Sequence, residues 1–372
     1  MKRLLKIIEA LRPTFDEGGR LGVLKPVFGA LEHFFFAPSE TTLGAPHIRD
    51  PLDLKRLMSM VIISVVPCAI SALYFFGWRF VAMVVVSYAA GLTVEAIFAI
   101  ARKEGINEGF FVTGILFPLI LPPGTPLWMV GLGVAFGVFI GKELFGGTGR
   151  NVFNPALVGR CFLALAYPKA MSASYMKPSH DLLGCLLFKW LPPGSGGADA
   201  VTIATPLSAA KSGEIGSTAH LFLGSVAGSV GETSAILIIL GGVFLLLTRV
   251  ANWRTVVSIL GSFIVLTSAL LIRGSISYER MPGVFGPVMW HLFAGGLLFG
   301  AFFMATDPVT GPSTNSGKWL YGIIIGSVTV LIRHFTGYVE GVTFAILLGN
   351  IIAPILDEIV FKVRLRRLAS EE

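Results

Sequence analysis

Long apolar runs recur along this chain from Leu57 almost to its C-terminal end, and no other feature narrows the possible folds as much. A hydrocarbon slab about 30 Å thick requires roughly 20 mostly apolar residues for each helical crossing. Such runs are expected near 57–76, 80–101, 109–122, 127–145, 155–167, 232–248, 255–272, 288–305, 319–333 and 341–360. Charged residues make up only 14% of the 372 residues, whereas a soluble globular chain carries roughly 25%. Lipid offers the backbone no hydrogen-bond partners, so apolar runs of this length fold as helices. The expected fold class is an all-α integral membrane protein with about ten transmembrane helices.

Loop charges set the orientation. The net charge of +7 comes from basic residues in the N-terminal stretch, at Arg102/Lys103 and Arg249/Arg254, and in the Lys362–Arg367 tail. An even number of spans puts these groups on one face, which the positive-inside tendency assigns to the cytoplasm together with both termini. The positive charge therefore implies no nucleic-acid partner. The opening MKRLLKIIEALRP is basic and amphipathic and does not have the form of a removable signal peptide. Cys68, Cys161 and Cys185 form no Cys-x-x-Cys pair, so neither a disulfide framework nor a protein-only iron–sulfur or zinc site is expected. His33, His47, His180, His220, His291 and His334 show no metal-ligand spacing.

Five regions follow: a cytoplasmic N-terminal segment 1–56, a first membrane half 57–167, an outer-face loop 168–218, a second half 219–361 and a cytoplasmic tail 362–372. Leu221–Gly231, LFLGSVAGSVG, is too short to cross and rich in small residues, which reads as a re-entrant or half-helix buried in protein. The run 109–122 ends in Leu-Pro-Pro-Gly, and 155–167 opens with Asn-Pro and carries Arg160. Broken helices of this kind line binding sites or ion paths. Asn151–Leu157 echoes Asn350–Leu356, and Phe110-Phe111 before Pro118 echoes Phe302-Phe303 before Pro308. Five spans on each side of the outer loop would make the halves inverted repeats.

Read on chemistry alone, Asp199–Leu207 (DAVTIATPL) is a hydroxyl-bearing, β-prone turn of a kind that ordinarily caps helices. Gly146–Asn151 is a glycine-rich turn where backbone can approach a ligand, with Asn151 and Asn154 supplying amide donors and acceptors. Acidic residues inside apolar runs are costly and mark functional positions. They are Glu95, Glu143, Asp307 and Asp357. Glu143 is expected to pair with Lys142 or Arg150 at the interface, and Asp307 to bind a cation or cap its own turn.

Several segments together carry a family resemblance along nearly the whole chain: Phe34–Pro38, His47–Asp50, Asp53–Arg56, Asn107–Gly114 (NEGFFVTG), Phe145–Leu157 (FGGTGRNVFNPAL), Ala305–Pro308 (ATDP) and Asn315–Trp319 (NSGKW). By these the chain resembles the B-type subunits of sodium-translocating NADH:quinone oxidoreductases, a family that also includes the D-type subunit of the Rnf complex. The long N-terminal segment with His47–Asp50 favours the quinone-reducing branch.

The resemblance implies a redox-driven sodium pump in a bacterial inner membrane, with partners of the A, C, D, E and F types and ubiquinone as electron acceptor. In that family a motif ending in Ser/Thr-Gly-Ala-Thr carries FMN as a phosphoester on its last hydroxyl, which maps to Thr205. Ile203 stands where the motif has glycine, and a longer insert precedes it. Thr202 is the competing acceptor. The resemblance further implies non-covalent riboflavin at Asn151 and Asn154, and sodium passage at Glu95 and Asp357, with Asp307 a further sodium candidate. By analogy a quinone region falls near Gly91 and Phe34–Phe36, and Glu32 reads first as a solvated surface charge, with a cytoplasmic ion entrance as the alternative. The nicotinamide site and any iron–sulfur centre are then left to the partners, because this chain has no nicotinamide-binding fingerprint and no cysteine cluster.

Overall fold

A computed structural model describes residues 54–103, 109–176, 178, 205–211, 216–224, 226–276, 278, 283–338 and 340–371, and among them every regular element is helical. Glu32, Phe34–Phe36, His47–Asp50, Cys185, Thr202 and Ile203 lie outside the described residues.

The first half contains α1 (Leu54–Phe76), α2 (Trp78–Arg102), α3 (Gly109–Leu119), α4 (Leu127–Gly141) and α5 (Pro155–Ala166). Short helices follow: α6 (Pro168–Ala173), α7 (Pro206–Lys211) and α8 (Thr218–Leu223). The second half contains α9 (Ala235–Leu247), α10 (Trp253–Ile272), α11 (Phe285–Phe293), α12 (Asn315–Phe335) and α13 (Val342–Glu371). After α11 the chain bends by 66° into a second segment, Leu297–Met304, whose Gly300–Met304 end is π-helical.

Among the described residues, five helices are long and apolar enough to cross a membrane alone, or six with the bent pair counted as one span. Gly109–Leu119, Pro155–Ala166 and Ala235–Leu247 are apolar but shorter. Their outer surfaces agree with a lipid solvent. Ile63, Ile70, Val85, Ile97, Leu240, Val265 and Ile272 are all exposed, and so much apolar surface on a chain in water would drive aggregation. This is a multi-pass membrane protein.

The two halves repeat one packing plan. In the first, α2 packs on α4 and α4 on α5; in the second, α10 packs on α12 and α12 on α13. Across the halves α1 lies against α9, and α5 against α13. Trp78-Arg79 opens α2 as Trp253-Arg254 opens α10, and Trp128 and Trp319 sit near the starts of α4 and α12. The repeat is inverted: one cleft takes Leu57 and Met58 from the beginning of α1 but Leu245 from the end of its counterpart α9. The Asn151–Leu157 and Asn350–Leu356 echo is not its marker, because the first crosses a helix start whereas the second lies inside α13.

Two local features fix the first half. In α4, Gly137 has so little room that a Cβ there would lie 2.3 Å from the Pro155 carbonyl oxygen, so the absence of a side chain lets α5 dock directly. At the end of α3 the backbone turns through Pro122 and Pro123 and leaves carbonyls without intrahelical donors. Val230 and Gly231 donate their N–H groups to Leu121 and Leu119 (3.0 and 2.7 Å). Of the expected half-helix over Leu221–Gly231, the described residues form the end of α8 and then, over 226–231, a largely buried stretch without helix.

Candidate functional site

A cleft opens between the halves, with about 700 Å³ of empty space when its open mouth is counted. Its lining includes Lys142, Thr148, Asn151 and Asn154 from the first half, with Phe303, Thr306 and Asp307 from the second. Each polar side chain is set by local backbone chemistry. Asn154 is the N-cap of α5: its Oδ1 accepts from the Ala156 N–H (3.1 Å) and Pro155 takes the first helical position. Asn151 closes the glycine-rich turn, with Oδ1 accepting from Gly149 N (3.2 Å) and Nδ2 donating to the Phe153 carbonyl (3.1 Å). Both amides thus shape the loop, and the cap leaves the Asn154 Nδ2 outside that bond. Thr148, a position that carries no signal in the sequence, has a buried Oγ1 with no hydrogen-bond partner among the described residues. A buried hydroxyl without a partner costs about 1–3 kcal/mol, so a ligand donor or acceptor here would be rewarded.

Glu95 stands behind this wall. Its carboxylate is 3% exposed and paired with Lys142, whose ammonium is 4% exposed. Glu143 pairs instead with Arg102, whose Nη1 lies 2.9 Å from Oε2. The expected Glu143 partners, Lys142 and Arg150, are not the ones used. Asp307 is half-buried and caps its own turn, accepting from Val309 N (3.2 Å) and the Thr310 hydroxyl (3.1 Å). Burial pushes its carboxyl above the usual range, and these two bonds pull it back only in part.

The other expected residues are dispersed. Asp357 is separated from the cleft and binds the start of α12: its oxygens accept from Ser313 N (2.7 Å), Ser313 Oγ (2.8 Å), Thr314 N (3.0 Å) and Thr314 Oγ1 (2.5 Å). A second, more polar cleft lined by Asp307, Ser313 and Lys318 adjoins it. Gly91 is a packing position, since a Cβ there would meet the Phe110 ring at 2.4 Å. Thr205 lies far along the chain path, at the start of α7, where Leu207 packs with Trp290 and Ala294. Its Oγ1 is engaged with Ser208, accepting from Ser208 N at 3.3 Å and lying 3.2 Å from Ser208 Oγ. The residues bearing on a covalent link fit a phosphoester through one group: the Ser208 N–H already donates to that oxygen, whereas the Thr205 hydroxyl donates to Ser208 Oγ, which itself donates to the Thr205 carbonyl (2.8 Å).

Comparison with known proteins gives a full-length match. The sequence fits the NQR2, RnfD, RnfE family over residues 41–366. It is 37% identical to the B-type subunit of the Na(+)-translocating NADH-quinone reductase of Klebsiella pneumoniae (strain 342), covering 99% of both chains. The corresponding subunits of Azotobacter vinelandii (37%, 97% of both chains) and Pseudomonas paraeruginosa (36%, 98% of both chains) are similar to it as well.

Proposed function

The chain belongs to the NQR2, RnfD, RnfE family, and from that premise we propose that it is the B-type membrane subunit of a redox-driven sodium pump. The complex passes electrons from NADH to ubiquinone, and this chain works with partners of the A, C, D, E and F types in a bacterial inner membrane. Both termini face the cytoplasm. Segment 1–56 and tail 362–372 lie on that side, 57–167 and 219–361 form the two membrane halves, and 168–218 carries the covalent flavin on the outer face.

FMN is held as a phosphoester on Thr205, and riboflavin occupies the cleft between the halves. Bound flavin supplies one-electron redox chemistry that no side chain here provides. The protein's part is placement. The Ser208 N–H would donate to the phosphoester at Thr205; Asn154 and Thr148 would hold riboflavin by its polar groups, with Asn151 shaping the loop beside it. Phe303, Val112 and Leu116 give the same cleft its apolar wall. Glu95, Asp307 and Asp357 serve sodium, for which carboxylate oxygens are suitable ligands. Gly91 takes part in the quinone region through the close α2–α3 contact it permits.

The reading rests most directly on the cleft that gathers Asn151, Asn154, Asp307 and the partnerless Thr148 hydroxyl in a chain related end to end to sodium-translocating proteins. A D-type subunit of a Rnf electron-transport complex is the nearest alternative, because the matching family embraces both. A flavin-free secondary transporter is the other. Ultraviolet fluorescence of the denatured chain on a gel separates the classes. A fluorescent band is expected, and it disappears in Thr205→Ala; a dark wild-type band, or fluorescence that survives the substitution, removes the covalent flavin. Sodium-stimulated quinone reduction by the purified complex then separates the pump from the Rnf reading.

A further inference from the structure

The end of the molecule opposite the Asn154 cleft carries another opening, lined by Arg160, Tyr175, Glu340 and Thr343 with Met171 and Phe344. It lies at the start of α13, the place that the inverted repeat relates to the start of α5, where Asn154 sits. Arg160 projects from α5 and is 5% exposed. Its Nη1 donates to Glu232 Oε1 (3.4 Å) and its Nη2 to Ser229 Oγ (3.3 Å). The same Nη2 donates to Glu340 Oε2. The Tyr175 hydroxyl donates to Glu340 Oε1 (3.4 Å). One guanidinium from the first half thus serves two carboxylates of the second. The next cation, Arg333, donates to the carbonyls of His291 (2.7 Å) and Ala294 (3.0 Å).

Two oxygens of this cluster are left without partners among the described residues. Thr343, 4% exposed and lining the opening, has an Oγ1 without a partner among the described residues, and Glu232 has a buried Oε2 in the same condition. Partnerless buried oxygens beside carboxylates are what a hard cation requires, because such ions bind through oxygen alone.

We propose that Glu340, Thr343 and Tyr175 form a binding station for a sodium-sized monovalent cation at the end of the molecule opposite the Asn154 cleft, with Arg160 as its resident counter-charge. This rests on the reading of the chain as a sodium-pump component. When the ion arrives, Glu340 turns from Arg160 to the ion, and the Tyr175 and Thr343 oxygens complete the contact. Arg160 is not stranded by the exchange, because Glu232 still holds it. A single Arg–Glu pair could not release its carboxylate without leaving a buried charge uncompensated, which is strongly unfavourable. Two acceptors on one guanidinium make the release reversible.

The test uses the complete purified complex with sodium as the probe, and potassium and choline at equal ionic strength as controls. Glu340→Gln and Thr343→Val are compared with the unmodified complex in ²²Na⁺ binding at equilibrium and in the sodium concentration that half-saturates quinone reduction. Glu340→Gln is expected to raise that concentration tenfold or more and Thr343→Val several-fold, each with a matching loss in ²²Na⁺ binding. Assembled variants with unchanged sodium binding and unchanged half-saturation overturn the station and leave the cluster as a clamp between the halves. Should Glu340→Gln fail to assemble, the near-isosteric Thr343→Val decides the matter by the same two readouts. An unmodified complex that neither binds nor responds to sodium overturns the pump reading itself, which is a different result from a pump whose variants behave normally.

Discussion

Lys142 and Glu95 show what a single buried pair commits the protein to. Both side chains are under 5% exposed, and each is the other's compensation. Removing one partner strands a charge, at a cost of about 3–5 kcal/mol, whereas replacing both by apolar residues of similar size is often nearly neutral. Lys142→Met is therefore expected to lower the thermal unfolding midpoint in detergent markedly, and Lys142→Met with Glu95→Leu to recover most of it. Losses that add in the double variant would contradict the pairing. Glu95 was legible in the sequence because an acid inside an apolar run is conspicuous. Its partner was not, since the two are 47 residues apart and join only when α2 lies beside the end of α4. Thr148 was invisible for a related reason: a hydroxyl gains meaning only once its burial and its missing partner are known. Asp357 was equally conspicuous, yet the structure engages it in four hydrogen bonds that hold the start of α12. Sodium at that carboxylate would have to displace some of them.

At the scale of elements, composition announced helices but not how far each one runs. The run 288–305 read as one span, whereas the chain bends by 66° between α11 and Leu297–Met304. The cause was present in the sequence as Gly295-Gly296, since a glycine pair is a recognised kink site, and Gly295 takes a positive φ of 67°. Short α3 was readable from the Pro122-Pro123 stop, but the strip that bonds its free carbonyls comes from residues 230 and 231, beyond any local signal. The α4–α5 contact gives a direct test of element packing. Gly137→Val puts a Cβ 2.3 Å from the Pro155 carbonyl oxygen, and backbone cannot step aside as a side chain can. Overpacking of this kind costs about 1–3 kcal/mol or more. Little folded chain is expected in size-exclusion chromatography of a fluorescent-protein fusion. Gly131→Ala in the same helix, whose Cβ would meet Val86 at 3.4 Å, should behave as wild type. Equal behaviour of the two would mean that α4 and α5 do not meet as described.

For the molecule as a whole, inversion of the halves has a functional consequence: it produces openings at both ends from one packing plan. The end that bears Asn151, Asn154 and Asp307 is built from the start of α1, the end of α2, the end of α4 and the start of α5, together with the end of α9 and the start of α12. The end that bears Glu340 is built from the far portion of α5 and the start of α13. In the orientation proposed above the first end faces the cytoplasm, as the positive-inside tendency favours for the end that carries Arg102, Lys103, Arg249, Arg254 and the Lys362–Arg367 tail. The assignment predicts opposite chemical accessibility. In a background with Cys68, Cys161 and Cys185 replaced by Ala, Ser172→Cys should react with a membrane-impermeant maleimide added to intact cells, since Ser172 lines the opening beside Glu340. Lys362→Cys, exposed near the end of α13, should react only after the membrane is made permeable. Labelling of both from one side would rule out an inverted arrangement with an odd number of crossings between them, and the two openings could not then serve opposite faces of one membrane.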